Sequence, residues 1–336
     1  MINSEIPLRR VLITGTTSGI GLYAMKSLLN KGCKVLAVNR STEKAIKAID
    51  NLKLDPNLVS KVEHVEIDLS DLQSVREGIN QLLVRPDFSL DSIICNAAVY
   101  NPWLRKPLRS KQGYELSMAT NHLGHFLIIQ LLLESLMKTN NNLEVDSANY
   151  FSPRIVILGT VTANFLELGG KIPIPSPADI GDLSGFENGF LDPISMANGK
   201  RFKPGKAYKD SKLCNMITAQ ELHKRYQDKK IVSMSLYPGC VAETKLFRTT
   251  PFLFRWLFPL FQRFITGGYV SQRLAGERVA EVATAIDFEY SGVHWSWGNR
   301  QKKNRRAFSQ KLSQRITNQE MSERMWDLSM KLVGLK

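Results

Sequence analysis

The stretch Arg10-Val-Leu-Ile-Thr14-Gly15-Thr16-Thr17-Ser18-Gly19-Ile20-Gly21 decides the fold of this chain of 336 residues. Its first five residues predict a short buried strand, and a helix is predicted from Ile20 to Asn30. The spacing Gly-x-x-x-Gly-x-Gly between them permits a tight turn and close backbone approach to a pyrophosphate, which the helix N-terminus attracts. This context predicts a dinucleotide site, and we expect its residues to include Gly15, Thr17, Ser18, Gly19, Ile20 and Gly21.

Strand-like and helix-like segments continue to alternate after this unit. Helices are predicted at 43–52 and around Tyr208, and further strands at 34–38, 62–67, 92–95, 154–158 and 232–236. This rhythm predicts an α/β fold with a doubly wound parallel sheet, Rossmann-like, and helices on both faces. We expect one nucleotide-binding domain over residues 1–336.

Two segments interrupt the alternation. Residues 161–204 are rich in Gly, Pro and Asp, which predicts a long ordered insertion that is neither helix nor strand and that serves a function. Residues 246–270 carry many aromatic side chains with arginines between them, and Pro251 and Pro259 are expected to start or break turns there. Two interpretations stay open: an amphipathic helix that faces the core, or a helical lid over a large apolar ligand that also touches a membrane. The apolar residues at helical spacing are Leu253, Trp256, Leu257, Leu260, Phe261 and Phe264.

The charge balance is strongly basic. Lys and Arg number 45 and Asp and Glu 31, which gives a formal net charge of +14 and favours acidic partners. The basic cluster 300–306 is interpreted as a surface loop, or else as a contact with a membrane or a partner. We expect no nucleic-acid partner, because no recognised motif for one accompanies the charge.

The cysteines indicate neither a metal site nor a disulfide framework. Cys33, Cys95, Cys214 and Cys240 are widely scattered, without the spacing of a zinc site, so no metal is expected and a reducing compartment fits. The first strand begins so early that we expect no signal or transit peptide in this chain. No apolar run approaches the roughly 18 residues of a spanning helix, so no transmembrane helix is expected.

The end of the second predicted strand bears on the choice between NAD and NADP. Asn39-Arg40-Ser41 stands where an NAD site usually has a carboxylate, and Lys44 follows one turn later. A guanidinium suits a 2′-phosphate, so NADPH is the predicted cofactor. Asp68 and Leu69, after the third strand, are expected beside the adenine. Asn96, Ala97 and Ala98 are expected at the adenine ribose.

Tyr208 and Lys212 are the predicted centre of the chemistry. They are four residues apart and share one helix face, where the ammonium is expected to lower the phenol pKa toward working pH. Lys212 is also expected to hold the nicotinamide ribose. Thr160 offers a hydroxyl at the carboxyl edge of the sheet, and Asn121 is expected to orient a water next to Lys212.

Cys240 follows the sixth predicted strand, which places it near the nicotinamide end of the site. A buried thiol is usually inert, and a thiol at the mouth of a cofactor cleft is a candidate for substrate binding or proton donation. Both readings stay open. His122 and His125 lack a carboxylate or cysteine partner and are interpreted as packing residues, not as metal ligands.

These residues, in this order, resemble the short-chain dehydrogenase/reductase family. Its marks are the TGxxxGxG loop, a helix asparagine, a Ser or Thr, and YxxxK. Here the usual serine is Thr160, and Cys95-Asn96-Ala97-Ala98 replaces Asn-Asn-Ala-Gly. The insertion separates Thr160 from Tyr208 more widely than is usual in the family.

Longer segments look like the light-dependent protochlorophyllide reductases within that family. Among them are Tyr114–Phe126, Leu236–Thr244 and Gly292–Gln301. The resemblance implies that NADPH gives a hydride to C17 of ring D of protochlorophyllide and that a proton goes to C18, which forms chlorophyllide for chlorophyll biosynthesis. It also implies that the bound pigment absorbs the photon. Tyr237, Cys240 and Phe247 are then expected to bind the substrate, and Lys171 or Arg248 its carboxylate.

The reacting C=C bond offers no oxygen for Tyr208 to polarise, so Cys240 or an ordered water competes for the role of proton donor. Further expectations are a cytoplasmic location or a peripheral one on thylakoid membranes, contact with anionic thylakoid lipids, and a homo-oligomer. Two other functions stay open. One is a light-independent reductase of a bulky apolar carbonyl such as a retinoid or steroid, and the other a catalytically silent protein that holds NADPH or pigment.

Overall fold

The computed structural model describes residues 9–86, 88–141, 151–171, 173, 176–191, 195–244, 246, 250, 252–266, 269–297 and 306–336. Within these residues eight strands form one sheet in the order β3-β2-β1-β4-β5-β6-β7-β8, parallel throughout except for the antiparallel β8. The strands are β1 Arg10–Thr14, β2 Lys34–Asn39, β3 Val62–Glu66, β4 Ser92–Cys95, β5 Arg154–Leu158, β6 Val232–Tyr237, β7 His294–Ser296 and β8 Phe308–Ser309. The predicted doubly wound sheet is confirmed.

Helices cover both faces of this sheet. They are α1 Gly19–Asn30, α2 Thr42–Asp50, α3 Pro56–Val59, α4 Leu72–Leu83, α5 Leu116–Met118, α6 Gly124–Asn141, α7 Leu168–Lys171, α8 Ser184–Glu187, α9 Pro204–Tyr226, α10 Phe252–Phe261, α11 Gln272–Thr284, α12 Gln314–Thr317 and α13 Gln319–Leu332. A π-helical turn, Ala119–Leu123, joins α5 to α6, and another, Gln262–Thr266, follows α10.

The core has one large apolar cluster on each face of the sheet. Alternate side chains of β1 enter opposite clusters, Leu12 with α4, α6 and α9, and Val11 and Ile13 with α1 and α11. This is the period-two alternation of a strand that is buried on both faces. The sheet is therefore a rigid base whose carboxyl edge can carry a site.

One segment meets the length and hydropathy of a membrane span, although no uninterrupted apolar run predicted it. It covers Leu116–Thr139 with a mean hydropathy of 1.3, and 83% of its most apolar window is buried. Such burial is what the core helix of a folded domain shows.

The insertion 161–204 is more regular than its composition predicts. Its described residues include the short helices α7 and α8, so the expectation of neither helix nor strand was wrong. Phe186 and Phe190 are fully buried and join the core cluster of α6 and α9. Aromatic anchors thus hold the insertion in place despite its glycines and prolines.

Within the segment 246–270, residues Phe252–Phe261 form helix α10, and several of the described apolar side chains there and just after it are exposed. Trp256 is 60% exposed and Phe264 72%, and Leu257, Leu260 and Phe261 are exposed as well. The core-facing interpretation is therefore wrong for these residues. Pro259 lies inside α10 without ending it. Pro251, Phe247, Arg248 and, apart from Arg306, the basic cluster 300–306 lie outside the described residues.

Candidate active site

A cavity of about 660 Å³ opens at the carboxyl ends of β1, β4, β5 and β6. Parallel α/β sheets bind their ligands at this edge. The cavity brings together most of the predicted site residues: Gly15, Thr17, Ser18, Gly19, Ile20, Gly21, Asn96, Ala97, Ala98, Thr160, Tyr208, Lys212, Tyr237 and Cys240. Arg40, Lys44, Asp68 and Leu69 lie outside its lining.

The turn between β1 and α1 fits a pyrophosphate. Gly15 and Gly19 have φ values of +76° and +65°, which disfavour any residue with a Cβ, and a Cβ on Gly21 would clash with the carbonyl oxygen of Gly15. Ser18 precedes α1 and makes no side-chain cap. The first N–H groups of α1 are thus open to an anion at the cavity wall.

Asn96 holds this turn in place. Its Nδ2 donates to the carbonyl oxygens of Thr14 and Gly15 at 2.8 and 3.2 Å, and its backbone N–H donates to Thr14 Oγ1 at 3.0 Å. The N–H of Ala97 donates to the same hydroxyl at 2.9 Å. The segment after β4 therefore positions the glycine turn as well as lining the cavity.

The residues predicted at the adenosine end differ in their burial and in their hydrogen bonds. Asn39 is buried, and its side chain accepts from the N–H of Thr16 at 2.8 Å and donates to Thr16 Oγ1 at 2.7 Å. Arg40 and Lys44 are exposed just beyond it. Asp68 Oδ1 accepts from the N–H and the hydroxyl of Ser70, which leaves its other oxygen for a ligand.

Helix α9 carries Tyr208 and Lys212 to the cavity one turn apart. Lys212 is 2% exposed, and its Nζ donates to the carbonyl oxygen of Leu158 at 2.9 Å. Burial lowers the pKa of Lys212 to about 8, since a charged ammonium loses its hydration there.

The expectation that Lys212 lowers the pKa of Tyr208 was wrong for this structure. Burial raises the pKa of Tyr208, and Tyr100 and Cys240 raise it further. Desolvation of the phenolate outweighs the attraction of an ammonium that is itself buried and held by Leu158. Tyr208 is thus a neutral phenol at physiological pH and can give a proton but not readily take one.

Tyr237, the last residue of β6, and Cys240, three residues later, form another part of the wall. Burial raises the pKa of the Cys240 thiol to about 11, so it too is protonated near neutrality. The pKa of Tyr237 is raised as well, by burial first and then by Cys240. The carbonyl oxygen of Cys240 accepts from the N–H of Val270 at 3.0 Å, which ties this loop to the segment after α10.

Thr160 and Asn121 differ in their access to the cavity. Thr160 lines it, with Oγ1 3.2 Å from Thr162 Oγ1. Asn121 is fully buried in the first π-helical turn, where Nδ2 donates to Val99 O at 3.1 Å and to Ser211 Oγ at 3.0 Å. Both amide protons are used, so the side chain holds the loop after β4 against α9. The expectation that Asn121 orients a water beside Lys212 stays a prediction.

Two contributors were not singled out as site residues from the sequence. Tyr100 lines the cavity with its ring edge-on to that of Tyr208, at a centroid distance of 4.8 Å. His125 Nδ1 donates to the carbonyl oxygen of Asn121 at 3.0 Å, and its Nε2 lies 2.8 Å from Thr14 Oγ1. The position of Tyr100 shortly after β4 is a sequence signal that could have identified it as a site residue. The contact of His125 with Thr14 depends on tertiary packing and leaves no such signal.

His122 and His125 are both buried. His122 Nε2 lies 2.9 Å from Ser329 Oγ, and His125, predicted to be only a packing residue, also hydrogen-bonds within the fold. In the part of the chain that the structure describes, no three His, Cys, Asp or Glu side chains are grouped as metal ligands.

Comparison with known proteins identifies the family of this chain. The short chain dehydrogenase model matches residues 9–144. A chloroplastic protochlorophyllide reductase of Cucumis sativus is 44% identical over 97% of this chain and 78% of its own. The protochlorophyllide reductase of Avena sativa is 42% identical over 97% of this chain and 99% of its own.

A solved structure of similar fold is the 3-ketoacyl-(acyl-carrier-protein) reductase from Brucella melitensis complexed with NADH. It has a TM-score of 0.59 and 18% identity, and the match covers 86% of this chain and 96% of that one. The cofactor of this chain is a nicotinamide dinucleotide, in keeping with the glycine turn and the open N-terminus of α1. The chain belongs to the short-chain dehydrogenase family, among its protochlorophyllide reductases.

Proposed function

We propose that this chain uses NADPH and light to reduce the C17=C18 bond of protochlorophyllide to chlorophyllide. The observation that carries the proposal is that Thr160, Tyr208, Lys212 and Cys240 line one cavity with the glycine turn. The same chain is similar over nearly its whole length to proteins named for this reaction. The bound cofactor supplies the hydride.

For the cofactor we propose NADPH in preference to NADH. Asn39 stands at the end of β2, where a carboxylate would repel a 2′-phosphate, and its amide is already bonded to Thr16. Arg40 and Lys44 are exposed next to it and can approach such a phosphate from solvent. Asp68, Leu69, Asn96, Ala97 and Ala98 are proposed to contact the adenosine half.

For the proton we propose Tyr208 as the donor, with Cys240 as its rival. Burial keeps both groups protonated, so either can give a proton to C18. Lys212 is proposed to bind the nicotinamide ribose, since its ammonium has further donors beyond the one that Leu158 accepts. Thr160 is proposed to orient the substrate, and Asn121 to position α9.

For the pigment we propose the part of the cavity where Tyr100, Tyr237 and Phe258 of α10 supply apolar surface. We propose that Phe247 and the segment 246–270 cover the pigment and that the insertion 161–204 forms the other wall of the pigment site. We also propose that residues 1–336 form a single domain. The exposed apolar side of α10 supports a peripheral contact with thylakoid lipids. We also propose that the protein forms a homo-oligomer.

The test mixes the purified protein with NADPH and protochlorophyllide in strict darkness, applies one flash, and follows the red absorbance. We expect no change in the dark and a red-shifted product band after the flash. Turnover of a bulky ketone in the dark, without any light-driven product, would overturn the proposal in favour of an ordinary reductase. Omission of NADPH controls for photobleaching of the pigment.

A further inference from the structure

A second cavity, of about 210 Å³, lies beside the start of α9. Three separate segments line it, namely the insertion, the first turn of α9 and α12. Its ionisable lining consists of five cationic side chains and one carboxylate: Lys200, Arg201, Lys203, Lys206, Arg315 and Asp179.

The nearby carboxylates are already engaged within the protein. Asp179 accepts from the N–H of Gly181 at 3.1 Å and from Asn198 Nδ2 at 3.3 Å. Asp210 is fully buried behind the cavity and pairs with Lys206 at 2.5 Å. Lys206 is thus neutralised, and the other four cations face the single carboxylate of Asp179.

Two of these cations are held by contacts that do not use all of their N–H donors. Lys203 Nζ donates to Ser176 Oγ at 2.9 Å. Arg315 donates to the carbonyl oxygen of Ala178, and its guanidinium lies 4.5 Å from the ring centre of Phe165. An ammonium has three N–H donors and a guanidinium five, so each retains donors for a ligand.

These four cations, from the insertion and α12, surround one concavity, and like charges repel each other unless an anion lies among them. We propose that this cavity binds a small polyvalent oxyanion of the phosphate class, either free phosphate or the phosphate of a lipid headgroup. Arginine and lysine together suit such a ligand, because the guanidinium binds two oxygens at once and the ammonium acts as a point charge. The site is separate from the cofactor cavity and does not depend on the reaction proposed above.

The experiment uses NADPH-saturated protein, so that the cofactor's own phosphate sites are filled, and titrates inorganic phosphate by calorimetry at constant ionic strength. The variant is Lys200→Gln with Arg201→Gln. The control is Lys31→Gln with Lys34→Gln, a pair of exposed lysines around the start of β2 that removes the same charge. We expect saturable binding that is about tenfold weaker in the variant and unchanged in the control. No saturable binding to the parent protein, no weakening in the variant, or equal weakening in both pairs would overturn the proposal.

The source of the phosphate is distinguished with vesicles of phosphatidylcholine that contain phosphatidic acid. Sedimentation with the vesicles that is lost in the variant and kept in the control supports the proposal with a lipid phosphate as the ligand. Equal sedimentation of variant and control, together with the calorimetric difference, supports it with free phosphate as the ligand.

Discussion

Two protonated side chains, Tyr208 and Cys240, border the same cavity, and their surroundings bear on which one acts. Burial raises the pKa of both, so both carry a proton near neutrality. Tyr208 is further fixed by the ring of Tyr100 and by its place on α9, one turn before Lys212. A fixed phenol transfers a proton to a defined carbon more readily than a thiol on a loop.

We predict that Tyr208→Phe slows the proton-transfer step after a flash by about 100-fold, the usual contribution of a general acid. Cys240→Ser is the matched control at the other wall and should lower the rate only slightly. Flash spectroscopy that separates hydride from proton transfer measures both. A large loss in Cys240→Ser with an unchanged Tyr208→Phe would transfer the donor role to the thiol.

The proposed NADPH preference makes its own prediction at Arg40. Arg40→Glu should weaken NADPH binding about tenfold or more and leave NADH nearly unchanged, because only NADPH presents a 2′-phosphate to the new carboxylate. Fluorescence titration of the two cofactors measures this. Lys34→Glu, an exposed reversal at the other end of β2, controls for net charge. Equal losses for both cofactors would show that Arg40 does not contact the 2′-phosphate.

At the scale of single elements, α10 presents different residues to the cavity and to solvent. Phe258 lines the cavity, whereas Trp256 is 60% exposed. We predict that Phe258→Ala raises KM for the pigment by roughly 10- to 150-fold, since removing an aromatic contact costs roughly 1.5–3 kcal/mol. Trp256→Ala should leave KM in detergent-free solution unchanged. Steady-state kinetics under continuous light tests the pair, and equal effects would remove Phe258 from the substrate site.

At the scale of the whole molecule, local signals predicted the sheet and most of the residues that line the cavity, and packing determined the rest. β1, β4 and β5 have the predicted bounds because each is a short apolar run flanked by turn residues. β7 and β8, of three and two residues, are too short to show a period. The pKa of Tyr208 could not be read from its spacing to Lys212, since burial outweighs that pair. The contact of His125 with Thr14 joins residues 111 apart, which no sequence period reveals.

The low pKa of Lys212 links the active site to the stability of the whole fold. Its pKa is about 8 when folded, against 10.5 ordinarily, so between these values the unfolded chain binds more protons and the free energy of unfolding rises with pH. Well below pH 8, Lys212 is charged in both states, and its buried ammonium lowers the free energy of unfolding by the full amount of this effect. Lys212→Met lacks this group, so we predict that the cofactor-free variant is more stable than the parent at pH 7 and that the difference shrinks by about 2 kcal/mol between pH 8 and pH 9.5. Urea unfolding of both proteins at each pH isolates the contribution of Lys212, because the other titrating groups are shared. A difference that does not change with pH would mean that Lys212 keeps an ordinary pKa in the folded protein.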